Sequence, residues 1–175
     1  MANNFLHIYF FISSLVVLKI FASDTLLEVI CRQTHDSSLC ATIIESDPHS
    51  ATANIYVLAE DMVEMGTDVA TGTKVKIHSL ILFGKVDPNL RLQLVKCHQM
   101  YEDSIGFMRS AGSELKDGNF MSFAQSGALV YASASKCKDE LSKPPSNSSM
   151  FTTENRRLQT LGEIIYFIGK LLPDD

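Results

Sequence analysis

The sequence predicts an all-α protein, an antiparallel four-helix bundle with a disulfide-closed helical hairpin at its N-terminal end. Four long segments carry apolar residues at alternating steps of three and four, the spacing of a helix face that packs on a core. Short breaks rich in Gly, Pro and polar residues separate these segments, and no strand-like alternation competes. With 175 residues and 46% hydrophobic content, the chain has the size and composition of one domain with an ample core.

Residues 1–23 have the pattern of a secretory signal peptide. A mostly apolar run from Phe5 to Phe21 is followed by the small pair Ala22-Ser23. The alternative, an uncleaved membrane anchor, needs ~20 apolar residues, whereas this run has about 17 and includes Lys19. We therefore expect cleavage after residue 22 or 23, with no membrane attachment afterwards.

The mature domain is expected to span residues 24–175, with the helical hairpin at 24–46 and the bundle at 50–172. The hairpin is too short to bury much surface alone and must lean on the bundle or on a partner. The 20 acidic and 15 basic residues include no block of Lys and Arg. This charge pattern argues against nucleic acid as a partner.

Secretion makes disulfides the default for the four cysteines, which allow three pairings: Cys31, Cys40, Cys97 and Cys137. One continuous helix would hold Cys31 and Cys40 roughly 13.5 Å apart, so pairing them requires the chain to double back. The cap and turn formers at residues 34–38 allow such a reversal. No C-x-x-C spacing indicates a zinc site at the cysteines.

The first long helix is expected to start at Ser50, an N-cap candidate after the break at Asp47-Pro48. Its apolar seam runs from Ala51 through Met65 and Val69 to Phe83. The stretch 71–73, Thr-Gly-Thr, interrupts the seam, so one long helix with a weak or kinked point is expected.

The second and third helices follow with their own signals. Asp87-Pro88 supplies a cap residue and a proline at the first helical position. Apolar seams then run over residues 94–115 and 120–141. Cys97 and Cys137 lie on these two seams, and a short turn joins the helices, so antiparallel packing predicts a Cys97–Cys137 bridge.

A loop at residues 143–149 leads to the last helix. Within it, Asn147-Ser148-Ser149 is a candidate glycosylation acceptor. Thr152 or Thr153 is expected to cap the last helix, whose seam runs over residues 158–172.

The sequence carries no recognisable catalytic or cofactor motif. The mature histidines are scattered and are expected as surface or half-buried residues rather than ligands: His35, His49, His78 and His98. Cys97 and His98 are helix neighbours that point apart, and the thiol is expected to be oxidised. The acidic cluster Glu60, Asp61 and Glu64 is expected to be a solvated face. We therefore expect no enzyme activity, no cofactor and no metal.

Several pieces, in order, resemble the plant inhibitors of pectin methylesterase and invertase, over essentially all of the mature chain. The pieces are Ile30-Cys31-Arg32-Gln33-Thr34 with Cys40 nine positions after Cys31, Lys85-Val86-Asp87-Pro88, Cys97-His98-Gln99-Met100-Tyr101, Ala132-Ser133-Ala134 before Cys137, and a terminal helix ending Leu171-Leu172-Pro173.

This resemblance implies a four-helix bundle with an N-terminal hairpin and disulfides that join the first cysteine to the second and the third to the fourth. It also implies a secreted glycoprotein of the plant cell wall that has no catalytic role. The bundle would dock over the substrate cleft of a wall-located carbohydrate enzyme and block it. Pectin methylesterase is the preferred target, and invertase is the alternative.

The choice between the two targets depends on one turn. Invertase-directed members of the family typically show a Pro-Lys-Phe tripeptide that enters the active site of the target. The corresponding place here is Met121-Ser122-Phe123, which keeps only the Phe. Phe120, Met121, Ser122 and Phe123 are therefore the candidate inhibitory contacts, although both phenylalanines also fit the helix seam of the core.

Two further classes of function stay open. A secreted helical carrier of an apolar ligand is one, because bundle cores can open into pockets. Such a carrier should bind an apolar dye in its native state. A signalling or structural bundle is the other, and it would leave both enzymes unaffected.

Overall fold

The computed structural model describes residues 25–49, 54–144 and 149–173, and within these ranges the regular structure is entirely helical. The predicted signal segment, residues 1–23, and the glycosylation candidate Asn147 lie outside the described residues. Six helices follow one another: α1 (Leu26–Cys31), α2 (Ser37–Glu45), α3 (Ile55–Phe83), α4 (Pro88–Lys116), α5 (Phe120–Ser142) and α6 (Thr152–Leu171).

The four long helices form the bundle, and the two short ones form the hairpin. Helix α4 packs on α3 and α5, α5 packs on α6, and α6 packs on α3, which closes the ring. The hairpin α1–α2 leans on α6, where its buried residues Ile30, Ile43 and Ile44 join the same apolar core. The prediction of an all-α bundle with an N-terminal hairpin is confirmed.

Two disulfides fix neighbouring helices to each other. Cys31 and Cys40 join α1 to α2, with Cα atoms 5.4 Å apart. Cys97 and Cys137 join α4 to α5, with Cα atoms 4.8 Å apart. The second pair is the one that the helix seams predict, and the first is the one that the family resemblance implies.

Helix α3 starts later than the sequence predicts. Its N-cap is Asn54, whose side-chain oxygen accepts the N–H groups of Tyr56 and Val57 at 3.0 Å. The cap is therefore Asn54 and not the predicted Ser50, which lies outside the described residues. A side-chain cap at Asn54 satisfies free N–H groups of the first turn, which sets the start of the helix.

The buried face of α3 is rotated from the predicted seam. Gly66 and Ala70 are buried, whereas Met65 and Val69 beside them are only half-buried. A Cβ atom at Gly66 would lie 2.1 Å from the terminal methyl carbon of Met108, so the Met108 side chain occupies the space beside this glycine. The prediction relied on the spacing of large apolar residues, so it did not identify a buried face that is formed by small residues.

Helices α5 and α6 meet along a glycine seam, formed by Gly127, Gly162, Gly169 and Ala124. A Cβ atom at Gly127 would lie 2.7 Å from the carbonyl oxygen of Gly162, and a Cβ atom at Gly162 would lie equally close to the carbonyl oxygen of Gly127. A Cβ atom at Gly169 would lie 2.8 Å from that of Ala124. The two backbones are therefore in direct contact.

Helix α6 begins without the predicted threonine cap. Its N-cap is Phe151, which has a left-handed backbone with a φ of 61° and makes no side-chain capping bond. Thr152 is the first helical residue, and its hydroxyl donates to the carbonyl of Ser149 at 2.6 Å. The hydroxyl thus bonds backwards into the loop instead of accepting from the helix.

A buried hydrogen bond links α4 to α6 inside the bundle. The hydroxyl of Tyr101 donates to Oδ1 of Asn155 at 2.9 Å, and both side chains are almost completely buried. Burial raises the pKa of Tyr101 above its usual range, and the nearby charge of Glu154 raises it further. The hydroxyl therefore stays protonated and keeps donating.

Candidate functional site

The turn from α4 to α5 contains the predicted inhibitory contacts. Phe120 and Phe123 are only 4% and 0% exposed, so of the two alternatives left open for them the structure favours packing in the core seam over an exposed contact. The physical reason is the start of α5: Asn119 caps it, and Phe120 is its first residue. Both rings then lie on the inward face of the helix, and Phe120 packs edge-on against Tyr56 with ring centroids 5.7 Å apart.

The other two candidates of this turn differ in their exposure. Met121 is 53% exposed, and Ser122 is half-buried. The turn itself is tight because Gly118 has a φ of 72°, which glycine adopts without strain. Of the four predicted residues, Met121 is therefore the one that presents a large apolar side chain to a partner.

Met121 belongs to a small apolar surface at one end of the bundle, here called the end patch, which consists of Tyr56, Met121 and Leu171. All three side chains are exposed. Tyr56 packs against Phe120, the residue before Met121, and the Nζ atom of Lys170, the residue before Leu171, lies 3.9 Å from the sulfur of Met121. Each residue sits near the end of a long helix, so the patch rests on a rigid base.

A second exposed surface lies along α3 and α4, here called the histidine face, with His78 and His98 at its centre. Their ring centroids are 5.4 Å apart. Burial lowers the pKa of His98, and the nearby His78 and Lys74 lower it further. Exposed Leu82 follows His78 by one helical turn, and exposed Val95 precedes His98 by nearly one.

Polar contacts fasten the turn between α1 and α2 to α6. The Nδ1 atom of His35 bonds to Glu163, whose other carboxylate oxygen accepts the backbone N–H of His35 at 3.2 Å. This hydrogen bond, followed by the charge of Glu163, raises the pKa of His35. Beside it, the Nε atom of Arg156 donates to Asp36 at 2.5 Å.

An apolar groove opens next to this fastening. The His35 ring stacks on Tyr131 with centroids 5.8 Å apart. Together with Tyr166 and Phe167, these residues line an open groove of about 220 Å³ between α5 and α6. The groove is a surface feature where the hairpin turn meets the bundle.

The sequence analysis missed a cluster of Asp47, His49 and Asp61, although each residue was noted separately. The carboxyl groups of Asp47 and Asp61 face each other. Burial raises the pKa of Asp61, and the neighbouring Asp47 raises it further, whereas His49 lowers it. A usable signal was present. Asp-Pro-His directly follows α2, and Asp61 lies on the second turn of α3, where the chain returns.

Among the residues that the structure describes, no helix combines the length and hydropathy needed to cross a bilayer.

The comparisons with known proteins agree with this architecture. The sequence profile of the plant invertase/pectin methylesterase inhibitor family matches residues 25–166. A pectinesterase inhibitor from Actinidia deliciosa is 28% identical over 152 residues, which cover 87% of this chain and 82% of that protein. An invertase inhibitor from Platanus acerifolia is 25% identical over 170 residues, covering 93% of this chain and 94% of the relative.

A solved structure extends the agreement to three dimensions. The crystal structure of a mutant form of a pectin methylesterase inhibitor from Arabidopsis superposes with a TM-score of 0.78 at 27% sequence identity. The superposition covers 85% of this chain and 98% of that one. With its profile matched along most of its length and its bundle and hairpin shared, the chain belongs to the plant invertase/pectin methylesterase inhibitor family, whose members are inhibitor proteins and not enzymes.

Proposed function

We propose that this chain is a secreted cell-wall protein that inhibits pectin methylesterase by docking over its substrate cleft. The observation that carries the choice of target is the burial of Phe123. In the invertase-directed branch, the tripeptide ending at this Phe is expected to project into the target, yet here the ring is 0% exposed. An invertase inhibitor of this branch would need another contact, because the buried Phe123 ring does not reach a partner.

The relatives support the same choice. Identity to the pectinesterase inhibitor of Actinidia deliciosa is 28%, and identity to the invertase inhibitor of Platanus acerifolia is 25%. The solved neighbour with a TM-score of 0.78 is also a pectin methylesterase inhibitor.

The bundle suits a blocking role because it is rigid. The buried Tyr101–Asn155 hydrogen bond and the glycine seam hold α4, α5 and α6 in fixed positions. A surface that is preorganised loses little conformational entropy when it binds a preformed cleft. Inhibition can therefore follow from shape alone, without a reactive group.

The end patch is the proposed contact surface on the inhibitor. Its exposed apolar side chains lie at the ends of long helices, where they can reach into a cleft while the rest of the bundle covers it. Binding energy at protein interfaces is concentrated in a few such side chains. Met121 is the central one, since it is the most exposed of the three and its sulfur lies 3.9 Å from Nζ of Lys170 at the end of α6.

The function is tested by adding the purified, oxidised mature protein to pectin methylesterase and, in parallel, to acid invertase. Pectin methylesterase activity should fall as inhibitor is added until a one-to-one complex is reached, and invertase activity should be unchanged. Inhibition of invertase alone would refute the proposed target, and inhibition of neither enzyme would favour a signalling or structural role.

The contact surface is tested with a matched pair of variants. Met121→Ala should weaken inhibition on the order of tenfold, because loss of an interface anchor typically costs 1 kcal/mol or more. Leu82→Ala, on the histidine face, should leave inhibition unchanged. Both side chains are exposed, so both variants should keep the thermal stability of the parent. Weaker inhibition by Leu82→Ala together with unchanged inhibition by Met121→Ala would instead assign the contact to the histidine face.

The carrier function is tested with an apolar dye. The bundle interior is filled by buried side chains such as Met62, Met108, Phe123 and Leu161. We therefore expect no dye fluorescence from the native protein. Strong native-state binding, competed by fatty acids, would support the carrier.

A further inference from the structure

The segment after α2 returns to α3 at a cluster of three potential metal ligands. Nδ1 of His49 lies 3.5 Å from Oδ1 of Asp47 and 3.5 Å from Oδ2 of Asp61. One ligand atom from each residue lies within 4.8 Å of the other two. The backbone N–H of His49 donates to Oδ1 of Asp47 at 3.0 Å, which holds the two residues of this segment in a fixed relation.

Asp47 is buried and Asp61 is half-buried, and each has one buried carboxylate oxygen without a hydrogen-bond donor. The side chain of Asp47 is only 5% exposed. Within the described part of the chain, Oδ2 of Asp47 and Oδ2 of Asp61 are both buried and accept no hydrogen bond. Buried carboxylate oxygens without a donor are costly, and two of them facing each other are costlier. A cation bound by both side chains would offset this cost.

We propose that Asp47, His49 and Asp61 bind one divalent transition-metal ion, with Zn²⁺ as the best match. Imidazole nitrogen and carboxylate oxygen are zinc ligands with bond lengths of ~2.0–2.2 Å. A tetrahedral ion with such bonds separates its ligands by about 3.3–3.5 Å, and the two spacings from His49 are 3.5 Å.

The charge and exposure of the cluster fit the same ion. Two carboxylates balance a divalent cation, and a neutral imidazole favours zinc over Ca²⁺ or Mg²⁺, which prefer oxygen ligands alone. His49 is 68% exposed, so the fourth position of the ion opens to water. The site is therefore a surface-accessible one that can load and release its ion in the folded protein.

The bound ion would tie the hairpin to the bundle. Asp47 and His49 follow the hairpin, and Asp61 belongs to α3. An ion bound by all three residues would therefore join the end of the hairpin to the bundle. This connection would be separate from the hydrogen bond between His35 and Glu163. This role is independent of the target enzyme.

Calorimetric titration of the metal-free, oxidised mature chain with Zn²⁺ tests the site directly. We expect one ion per chain. Since the ion binds only the folded form, Zn²⁺ at a hundred times its Kd should raise the Tm by roughly 5–10 °C for a domain of this size. Ca²⁺ at the same concentration should produce a much smaller shift.

Variants separate this site from other histidines. His49→Gln and Asp61→Asn should each weaken Zn²⁺ affinity by at least about tenfold, since even the loss of outer-shell partners costs that much. Two controls should leave the affinity unchanged: Glu64→Gln, an exposed acid one turn further along α3, and His98→Gln, on the histidine face. His49 is exposed, so its variant tests the site even if Asp61→Asn folds poorly.

Two outcomes would overturn the proposal. One is the absence of saturable Zn²⁺ binding to the parent at millimolar concentration. The other is binding that survives His49→Gln and Asp61→Asn, or that is abolished by His98→Gln, because the ion would then be bound elsewhere.

Discussion

The hairpin and the bundle are stabilised by different means. Helices α1 and α2 have 6 and 9 residues, below the ~12–15 at which isolated helices become marginally stable. They depend on a disulfide, on the polar fastening to α6 and on a few apolar residues that lean on the bundle. The bundle helices have 20 to 29 residues and interlock along one continuous core.

This difference indicates which parts of the molecule can unfold locally. Regions with few buried contacts open locally, and regions that share a core unfold together. Changes in the bundle should therefore lower the stability of the whole protein. Changes in the hairpin should release one part and leave the rest folded.

The largest effect is expected from Phe123→Ala. A fully buried Phe loses its packing and leaves a cavity, so the free energy of unfolding should fall by about 3–5 kcal/mol. Inhibition measured well below the Tm should persist, because the ring does not reach the surface. Chemical denaturation combined with an inhibition assay checks both, and Met121→Ala is the control, with a change within about 0.5 kcal/mol. Unaltered stability of Phe123→Ala would contradict the burial.

The two disulfides should differ in the same direction as the two regions. Sequence separations of 9 and 40 close loops of 10 and 41 residues. Chain entropy then gives the hairpin bridge roughly 2.7 kcal/mol and the bundle bridge roughly 3.9 kcal/mol. The double variant Cys97→Ala/Cys137→Ala should lower the Tm more than Cys31→Ala/Cys40→Ala does. The opposite ranking in thermal unfolding would make the hairpin the stability-determining part.

The glycine seam offers a smaller, sharply controlled test. Gly127→Ala places a methyl group against the backbone of α6 and should cost about 1–3 kcal/mol. Gly106→Ala is the matched control, because no atom lies within 4 Å of the added Cβ. Because alanine is a better helix former than glycine, Gly106→Ala should raise the free energy of unfolding by about 0.5–1 kcal/mol. Equal effects from the two variants in urea denaturation would mean that the seam is not closely packed.

The smallest effect concerns the fastening of the hairpin and its pH dependence. Glu163 raises the pKa of His35 in the folded state, so the contact stabilises the hairpin fully below the unfolded value of 6.5. That contribution is lost as the pH rises through the folded pKa. Amides of α1 and α2 should exchange with solvent more readily at pH 8 than at pH 5, after correction for intrinsic exchange rates.

His35→Gln supplies the control for this pH effect. The variant retains a side chain of similar size but cannot become charged, so the corrected exchange of the hairpin amides should no longer differ between the two pH values. A pH difference that survives in this variant would assign the effect to another group.

The helices were predictable because their signals are local and redundant. The seam of α5 and the Asp87-Pro88 start of α4 were each read correctly from spacing and cap chemistry. The starts of α3 and α6 were not, since α3 is capped by the side chain of Asn54 rather than by Ser50, and α6 is preceded by Phe151 in a left-handed conformation that the sequence does not signal.

The candidate site was less predictable, because it depends on which face a helix turns inward. From the sequence, Phe120 and Phe123 could be either exposed contacts or core residues. The position of the Asn119 cap, which sets the start of α5, decides between these two alternatives. The cluster of Asp47, His49 and Asp61 depends on a chain reversal that brings distant residues together. The sequence signals the chain reversal through Asp47-Pro48, but it does not give the distance between the three side chains.

The glycine seam also restricts how this sequence can diverge. At positions 127 and 162 any side chain would strike the opposite backbone, so the two positions must change together, with the helices moving apart, or not at all. Gly72 and Gly106 carry no such restriction, because nothing lies within 4 Å of their added Cβ atoms. In homologous chains, glycine at both positions 127 and 162 would therefore indicate the same close crossing of α5 and α6. Glycine at positions 72 and 106 would not indicate any close contact.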